Sequence, residues 1–460
     1  MYPADTIVAP ATPSGRGAVA IIRISGPQAI AIARSLWHPL AANPAPRELR
    51  LGEIRDPRTG ATLDRAMGAV FPAPRSLTGE DVAEIHCHGG VYLVRRILAL
   101  AADAGARIAE PGEFTRRAYL NGRIDLTAAE AIADLVEARG EAALRQAIAQ
   151  LGGALAQRVE GLRERLIGIR AHLEAEIDFA DEDLSLPSRD TIATAIAALA
   201  ADVRILRDSF VRGRLTRTGA RAAIIGKPNA GKSSILNLLL GTERAIVTPI
   251  PGTTRDVIED AISLGPWPLI LADTAGIRES SDEVERIGIE RTRIAAAEAD
   301  LIIAVFDSSR PFDSDDADVL AATRDRAAVA LLNKRDLRQV LSRDELLLRN
   351  HSLPIIDFSA TTTAGLDDLR AELTKAIERL AGISDSAGAD VAISRERHRA
   401  ALARGGEALE AAHDAALAGM PPEIVAVDIA LATEALDALT GTIASEDILD
   451  AIFREFCIGK

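Results

Sequence analysis

The sequence predicts a multidomain fold with an α+β domain at its start, an all-helical domain, and an α/β domain inserted into the helical one. Three observations lead to this prediction. Short β-like runs and helical periods are mixed up to about residue 120, alanine-rich helical patterns occupy 126–212 and 391–460, and strands alternate with helices over 221–380. That alternation is typical of a mostly parallel sheet with helices on both faces.

Length, charge and cysteine content set limits on the function. The 460 residues, 48% of them hydrophobic, are enough for two or three domains with separate cores. A net charge of -14 gives no overall positive field for nucleic acids or membranes, so a nucleic-acid partner would need local basic patches. Two cysteines, no signal peptide and no bilayer-length apolar run predict a soluble, cytoplasmic protein without a membrane partner.

The α+β domain is predicted to cover residues 1–120. "GAVAIIRIS", "AMGAVF" and "VAEIHCH" have the composition and alternation of strands, and "GGVYLVRRILALAADAG" has the pattern of a helix that ends at a glycine.

The helical domain is predicted in two parts, 121–217 and 383–460, on either side of the α/β domain at 218–382. In the first part, apolar residues at steps of three and four form one stripe on a long helix, namely Leu162, Leu166, Ile169, Leu173 and Ile177. "DFADEDLSLPSRD" predicts a loop after it, and "AGISDSAGAD" at 381–390 a linker before the second part.

Five apolar runs in the α/β domain end in polar residues, which is where ligands bind in such folds. They are "RAAIIG", "LILADTAG", "LIIAVFDSS", "AVALLNKRD" and "IIDFSA". The first leads into "GKPNAGKS", a phosphate-loop motif that opens a helix. The loop is predicted to bind a nucleotide, with Lys232 at its β- and γ-phosphates and the Ser233 hydroxyl on Mg²⁺. The predicted nucleotide contacts here are Asn229, Ala230, Gly231, Lys232, Ser233 and Ser234.

Further motifs follow in the order of a GTP site. "PGTTRD" offers Thr254 as a second Mg²⁺ ligand, and "DTAG" places Asp273 near the metal through water and the Gly276 N–H near the γ-phosphate. "NKRD" supplies Asp336, whose carboxylate can accept both donors of a guanine edge, which argues against an ATPase. The remaining predicted contacts in these motifs are Thr274, Ala275, Asn333, Lys334, Ser359 and Ala360.

One expected group is absent from this set. In Ras-like switches a glutamine after Asp-x-x-Gly positions the attacking water, but this sequence has Ile277 there. An isoleucine side chain can neither donate nor accept a hydrogen bond, so another residue has to orient the water.

Motifs along nearly the whole chain resemble the tRNA-modification GTPase family called MnmE or TrmE. They include "PNAGKSS", "GTTRD" and "DTAGIRE" in the α/β domain, together with the start, the first domain boundary and the terminal "FCIGK". The resemblance implies that two GTP-binding domains dimerise across their nucleotides with a potassium ion near the phosphates. The implied K⁺ ligands are Asn229, Thr248, Ile250 and Thr253, with Thr248 and Thr253 also at the nucleotide. The glutamate implied to orient the water is Glu285.

The first domain is similar to folate-binding domains, and the same resemblance implies a folate-binding-like site there. Arg23, Glu80 and Arg123 would contact 5-formyl- or methylene-tetrahydrofolate, and Lys460 would reach the pocket from the tail. Cys457 is either a reactive thiol or a small apolar residue near a helix end.

The function implied is a homodimeric GTPase that helps to modify C5 of the wobble uridine of certain tRNAs. It would add an aminomethyl or carboxymethylaminomethyl group together with an FAD-dependent MnmG (GidA)-type partner, in a heterotetramer. The alternative is a regulatory GTPase switch for ribosome assembly, as in Era and Der, with the first domain serving only for dimerisation. "PSGRGAVAIIRISG" and "FCIGK" favour the modification enzyme, because a pure switch needs neither segment.

Overall fold

The computed structural model describes eight segments of the chain, and the structural statements below refer to these residues. They are 5–39, 45–179, 187–242, 260–272, 297–382, 391–443, 445–454 and 456–460.

The N-terminal domain is built on a seven-stranded sheet with the strand order β3-β4-β5-β6-β2-β1-β7. Neighbouring strands are antiparallel except for β1 and β7, which are parallel. The strands are β1 Ile7–Pro10, β2 Gly17–Ser25, β3 Trp37–Pro39, β4 Arg50–Arg55, β5 Thr62–Phe71, β6 Val82–Gly89 and β7 Arg107–Ile108. The helices are α1 Ala29–Leu36, α2 Val91–Asp103 and α3 Glu113–Leu120. The predicted strands at β2, β5 and β6 and the predicted helix α2 are confirmed.

Alternation along the central strands sorts side chains onto two faces. On β6, Ile85 and Cys87 are buried in the core below α1 and α2, whereas Glu84 points to the opposite face. Arg23 of β2 is the cross-strand partner of Glu84. The register therefore brings two charged residues together on the face that lies away from the core.

The helical domain forms one core from both of its segments, which confirms that the α/β domain is inserted into it. Leu162 and Leu166 from the first segment share this core with Leu402 and Ile429 from the second. The first segment contains α4 Leu126–Glu137, α5 Glu141–Leu151, α6 Ala154–Asp178, α7 Arg189–Asp208 and α8 Phe210–Thr218.

The predicted apolar stripe lies on α6, where four of its five members are buried and Ile177 is half-buried. Helix α6 ends at Asp178, inside the predicted loop, and residues 180–186 of that loop lie outside the described residues.

The α/β domain contains a six-stranded sheet with the order β13-β12-β11-β8-β10-β9. All neighbouring pairs are parallel except β9 and β10, so the predicted mostly parallel sheet is confirmed. Its elements are β8 Ala220–Gly226, α9 Lys232–Thr242, β9 Asp260–Leu264, β10 Trp267–Ala272, β11 Leu301–Asp307, α10 Ser314–Ala321, β12 Ala328–Asn333, α11 Arg343–Arg349, β13 Ile355–Asp357 and α12 Leu366–Leu380.

Separate apolar clusters cover the two faces of this sheet, and every residue of β11 and β12 is buried. Because parallel strands end at the same edge, the segments that follow β8, β11, β12 and β13 meet there.

The chain returns to helices after the α/β domain, as predicted. They are α13 Glu396–Leu417, α14 Pro422–Thr440 and α15 Glu446–Arg454. Most of the predicted linker, 383–390, lies outside the described residues. Among the helices that the structure describes, none has both the length and the apolar character needed to cross a membrane.

Candidate functional site

The phosphate loop follows β8 and turns through backbone conformations that favour glycine. Gly231 has φ 101°, and a Cβ placed there would lie 2.3 Å from Nδ2 of Asn333. Gly226 has φ 155°, and its Cβ would lie 2.5 Å from the carbonyl oxygen of Val305. Asn229 adopts φ 62°, a left-handed conformation that asparagine tolerates better than most residues. The two glycines are therefore required by space as well as by backbone geometry.

Lys232 begins α9 and spans the loop. Its Nζ donates to the carbonyl oxygens of Gly226 and Lys227, both at 2.8 Å. Burial lowers the pKa of Lys232. Ser233 and Ser234 follow in the first helical turn, where backbone N–H groups and the helix dipole favour an anion. The loop thus combines a lysine, two hydroxyls and a helix N-terminus, which is suited to a polyphosphate.

Asn333 links the phosphate loop to the segment predicted to contact the base. Its Nδ2 donates to the carbonyl oxygen of Ala230 at 2.8 Å, and its Oδ1 accepts from the backbone N–H of Ala360 at 3.1 Å. The side chain is buried, so both of its polar ends are satisfied inside the protein. The geometry gives Asn333 a positioning role between the two parts of the site.

Asp336 is exposed at the end of the sheet and is held by a buried hydroxyl. Ser359 Oγ donates to Asp336 Oδ1 at 2.6 Å, and the same Oγ accepts from the N–H of Thr362 at 3.2 Å. A carboxylate has about four lone-pair sites, so this hydrogen bond leaves room for two further donors. The arrangement matches the N1–H and N2–H₂ donors of a guanine edge.

Lys334 is held by Asp307, which the motif analysis did not single out. Lys334 has φ 65°, and its Nζ donates to Asp307 Oδ2 at 2.7 Å. Burial would raise the pKa of Asp307, but hydrogen bonds from Lys334 and Ser309 lower it. The signal in the sequence was the position of Asp307, a polar residue at the end of an otherwise apolar strand.

A second ion-pair group fixes the start of the phosphate loop. Lys227 Nζ lies 2.7 Å from carboxylate oxygens of both Asp313 and Asp316, at the N-terminal end of α10. The chain has only five lysines, and three of them, Lys227, Lys232 and Lys334, lie at this edge of the sheet.

The switch residues predicted from the sequence lie outside the described residues. They are Thr248, Ile250, Thr253, Thr254, Asp273, Thr274, Ala275, Gly276 and Glu285. Strand β10 ends at Ala272, which pairs in parallel with Ala223 of β8. The last described residue of β10 therefore lies beside the strand that leads into the phosphate loop.

The residues predicted to bind folate lie on the open face of the N-terminal sheet. Arg23 Nε is 2.9 Å from Glu84 Oε1, and its Nη1 donates to the carbonyl oxygen of Gly459 at 3.3 Å. Arg23 Cζ lies 5.8 Å from the ring centroid of Phe114. One arginine thus contacts the sheet, α3 and the C-terminal tail.

Glu80 belongs to the same neighbourhood. It accepts from Ser25 Oγ at 2.8 Å and from Arg117 Nη1 at 3.2 Å. Ser25 is two residues from Arg23 on β2, so the two side chains share a face. Arg123 is exposed, and its Cγ passes 3.3 Å from the place that a Cβ on Gly79 would occupy. Arg23 and Glu80 therefore lie inside the site, and Arg123 lies at its rim.

The C-terminal tail docks onto this domain. Ile458 forms an isolated antiparallel bridge with Pro111, and the Lys460 carbonyl oxygen accepts from the Phe114 N–H at 3.0 Å. Gly459 has φ 97° and leaves no room for a Cβ beside the backbone of Pro10.

The two predicted tail residues differ in their surroundings. Burial lowers the pKa of Lys460, although Cys457 and Glu137 act in the opposite direction. Cys457 is exposed, which makes its thiol accessible to solutes.

Comparisons with known proteins agree with this architecture. The model described as "GTP-binding protein TrmE N-terminus" matches residues 6–123, and the "MnmE helical domain" model matches residues 126–457. The tRNA modification GTPase MnmE of Natranaerobius thermophilus is 42% identical over 458 residues, covering 99% of each chain. The chain belongs to the MnmE family of tRNA modification GTPases.

Other MnmE proteins match over the same extent. The one from Heliobacterium modesticaldum is 44% identical over 99% of both chains, and the one from Chloroflexus aurantiacus is 44% identical over 99% of this chain and 100% of its own. The likeness to MnmE proteins therefore includes the nucleotide site, the open sheet face and the C-terminal tail together.

Proposed function

We propose that this chain is a GTPase that helps to modify the wobble uridine of certain tRNAs. The observation that carries the proposal is the combination of a phosphate loop and a Ser359-oriented Asp336 at one sheet edge, in a chain that matches an MnmE protein over 99% of both chains. The phosphate loop suits a nucleoside triphosphate, and the oriented carboxylate of Asp336 suits guanine. In the reaction, an aminomethyl or carboxymethylaminomethyl group would be joined to C5 of the uridine.

Magnesium would be held with GTP by hydroxyl oxygens. Ser233, in the first turn of α9 directly after the phosphate loop, is a hard oxygen donor of the kind that Mg²⁺ prefers. Thr254 would be the second hydroxyl ligand, and Asp273 would reach the metal through water. Lys232 would leave its two carbonyl partners for phosphate oxygens, because an anion is the stronger acceptor for an ammonium group.

Potassium would bind beside the phosphates through Asn229, Thr248, Ile250 and Thr253. The left-handed conformation of Asn229 at an exposed position of the phosphate loop supports its part in this site, since its amide oxygen is a hard donor. When bound, a monovalent cation offsets the negative charge that develops between the β- and γ-phosphates.

Glu285 would orient the attacking water in place of the missing glutamine. A carboxylate that touched the γ-phosphate directly would be repelled by its charge, and a bridging water reduces that cost by increasing the separation. Two nucleotide-binding domains of a homodimer would face each other during hydrolysis.

The test compares GTP hydrolysis in KCl and in NaCl at equal ionic strength. We expect hydrolysis in KCl to exceed that in NaCl by at least about tenfold, because a correctly placed cation typically contributes several kcal/mol at the transition state. Glu285→Ala should retain GTP binding, measured with a fluorescent analogue, and lose most of the hydrolysis. Equal rates in the two salts would refute the potassium site, and full activity of E285A would refute the assignment of Glu285.

The one-carbon unit would come from 5-formyl- or methylene-tetrahydrofolate on the open sheet face. Arg23 and the rim residue Arg123 are cations suited to the carboxylates of folate, and Glu80 can accept from the amino groups of a pterin. Lys460 would complete the site from the tail, where Cys457 is a candidate reactive thiol.

The flavin chemistry would be supplied by an FAD-dependent partner of the MnmG (GidA) type in a heterotetramer. GTP hydrolysis would drive a conformational cycle of the assembly rather than the alkylation itself.

A further inference from the structure

The α/β domain is joined to the helical domain by two adjacent chain segments. The inbound connection is helix α8, and the described part of the outbound connection is residues 391–395, because residues 383–390 lie outside the described residues. Ile393 N–H donates to Ser209 Oγ at 3.1 Å, and a Cβ on Gly213 would lie 2.1 Å from the Ile393 carbonyl oxygen. The two connections therefore pack backbone against backbone at Gly213 and Ile393.

Both connections are tied to one carboxylate on α4. Asp134 lies 2.7 Å from Arg395 of the outbound connection and 3.5 Å from Arg217 of the inbound connection. The Asp134 side chain is only 6% exposed. Burial raises the pKa of Asp134, although Arg395 and Arg217 act in the opposite direction. Removing either arginine would leave this shielded carboxylate with fewer partners, which is costly for a buried charge.

A second buried acid stands one turn earlier on α4. Glu130 receives two hydrogen bonds from Arg397, at 3.1 and 3.0 Å, and one contact from His398 Nε2 at 2.8 Å. Burial would raise the pKa of Glu130, but His398, Arg397 and Arg395 together lower it, so the acid is charged. The start of α13, directly after the outbound connection, is therefore also held by α4.

An adjoining face of α4 packs on the helix that carries the tail. Leu126, Ala129 and Ala133 share a small core with residues of α15, namely Leu449, Ile452 and Phe453. Eight of the twelve residues of α4 are buried, so the helix is in contact with both the charged cluster and this apolar one.

Helix α15 leads directly into the site on the N-terminal sheet. Arg116 of α3 pairs with Glu446 and Asp450 of α15. Beyond the helix, Gly459 contacts Arg23 and Lys460 contacts Phe114 through their backbone oxygens. A displacement of α15 would therefore change the tail next to the candidate folate residues.

We infer that α4 couples the nucleotide state of the α/β domain to the position of the C-terminal tail, and that Asp134 is the positioning residue that joins both connections to it. This inference rests on the proposed function. Closely packed interiors transmit displacement rather than absorb it. Separating the buried ion pairs would leave uncompensated charges, so a movement of the two connections is transmitted to α4 and then to α15.

The tail contains a natural reporter for this coupling. The chain has two cysteines, of which Cys87 is buried and Cys457 is exposed. Burial also raises the pKa of Cys87 to about 11, so we expect a thiol reagent at neutral pH to react with Cys457 in the folded chain.

The experiment measures the rate of Cys457 labelling by Ellman's reagent with GDP alone and with GDP plus aluminium fluoride, in potassium buffer. We expect the two rates to differ by at least about fivefold, the lower end of typical couplings between sites. Asp134→Asn should abolish most of this difference while GTP hydrolysis continues. Arg217→Gln removes the more exposed partner, at 25% exposure, and gives the answer if D134N does not fold.

The matched control is Arg163→Gln. Arg163 forms a 2.7 Å ion pair with Asp437 between α6 and α14, and its other ion pair, with Glu160, stays within α6. R163Q should keep the nucleotide-dependent difference.

Three results would overturn the inference. The first is native protein that hydrolyses GTP but labels Cys457 at the same rate in both nucleotide states. The second is a labelling difference in R217Q or in folded D134N as large as in the native protein, and the third is a labelling difference reduced as much in R163Q as in those variants. Native protein that fails to hydrolyse GTP would instead refute the proposed function.

Discussion

In the proposed GTP site, base selection would depend on the exposed carboxylate of Asp336 and the buried hydroxyl of Ser359 that orients it. Ser359 is 1% exposed and makes the 2.6 Å hydrogen bond to Asp336, so the acceptor is set in place before a nucleotide arrives. Such preorganisation reduces the entropy lost on binding. Asn333 adds to it by connecting this segment with the phosphate loop.

Asp336→Asn should weaken GTP binding by about 10- to 100-fold, because each hydrogen bond to a charged group contributes roughly 1.5–3 kcal/mol. The amide offers one acceptor and one donor, which fits the N1–H and C2 carbonyl of xanthine. Affinity for xanthosine triphosphate should therefore rise. Competition against a fluorescent GTP analogue measures both effects.

Asp357→Asn is the control for charge. Asp357 is also an exposed acid at this edge of the sheet, and it pairs with Arg335 at 3.2 Å. D357N should bind GTP as the native chain does. Unchanged GTP affinity in D336N would remove Asp336 from base recognition.

The buried carboxylate of Glu113 lies next to the proposed folate site and makes the stability of the N-terminal domain depend on pH. Glu113 is 1% exposed and contacts Arg107 at 2.6 Å and Arg117 at 3.0 Å. Burial would raise the pKa of Glu113, but the hydrogen bonds from Arg107, Glu110 N–H and Arg117 outweigh it and lower the pKa. A lowered folded-state pKa means that the stabilisation is complete above the unfolded pKa and is lost as pH falls through the folded value.

Glu113→Gln should therefore lower the free energy of unfolding at pH 7 by on the order of 3 kcal/mol, as for other broken buried ion pairs. The difference from the native chain should shrink as pH falls below about 4, near the ordinary glutamate pKa. Urea unfolding at the two pH values measures this. The neighbouring exposed acid provides the control, Glu110→Gln, which should change little. If the difference in the free energy of unfolding between the native chain and E113Q did not change with pH, the charge of Glu113 would not be what stabilises the protein.

Residue patterns predicted some of these groups and not others. Asn333, Asp336 and Ser359 could be predicted because their spacing relative to strand ends is local information. Asp307 and Glu84 could not, since their partnerships with Lys334 and Arg23 depend on which strands are neighbours and in which register.

The phosphate loop and helix α9 each contain a glycine, and the two glycines have different surroundings. Gly231 of the phosphate loop has φ 101° and faces Asn333, whereas Gly241, near the end of α9, has nothing within 4 Å of its Cβ position. The same substitution at these positions should therefore have opposite effects.

Gly231→Ala should displace Asn333 and break its hydrogen bond to Ala230, which would disrupt nucleotide binding. Gly241→Ala should raise stability by about 0.5–1 kcal/mol, since alanine is the better helix former. Nucleotide titration and thermal unfolding of both variants test the pair. Normal GTP affinity in G231A would contradict the role given to the close contact.

Strong periodicity explains which elements the sequence could predict. Strand β6 alternates between buried and more exposed side chains, and α6 carries a long apolar stripe, so both were predictable. Strand β7 has two residues and β9 is a short edge strand that forms a hairpin with β10. Such elements owe their conformation to neighbouring strands more than to their own pattern.

The whole molecule brings the two ends of the chain to one place. The tail at 456–460 docks on the first domain, and the phosphate loop lies in a domain inserted between helices that connect to that tail. Composition and periodicity could not predict that the tail docks on the first domain, because this docking depends on contacts between residues far apart in the chain. The family resemblance did imply that the tail reaches the site.

A chain with a nucleotide site and the proposed folate site beside the C-terminal tail would fit an enzyme that couples a hydrolysis cycle to chemistry elsewhere. A ribosome-assembly switch would need the first site only. The two hypotheses predict different products: a modification enzyme changes the wobble uridine of tRNA, and a ribosome-assembly switch leaves it unmodified.

The most direct measurement is therefore the wobble-uridine nucleosides of tRNA treated with the purified chain. The mixture contains a flavoprotein of the MnmG (GidA) type as the proposed partner, GTP, K⁺, folate, FAD and NADH. We predict a C5-aminomethyl-type uridine that disappears with Lys232→Ala, because Lys232 belongs to the phosphate loop. Unmodified uridine, under conditions in which GTP is hydrolysed and the partner binds, would contradict the account and favour the switch.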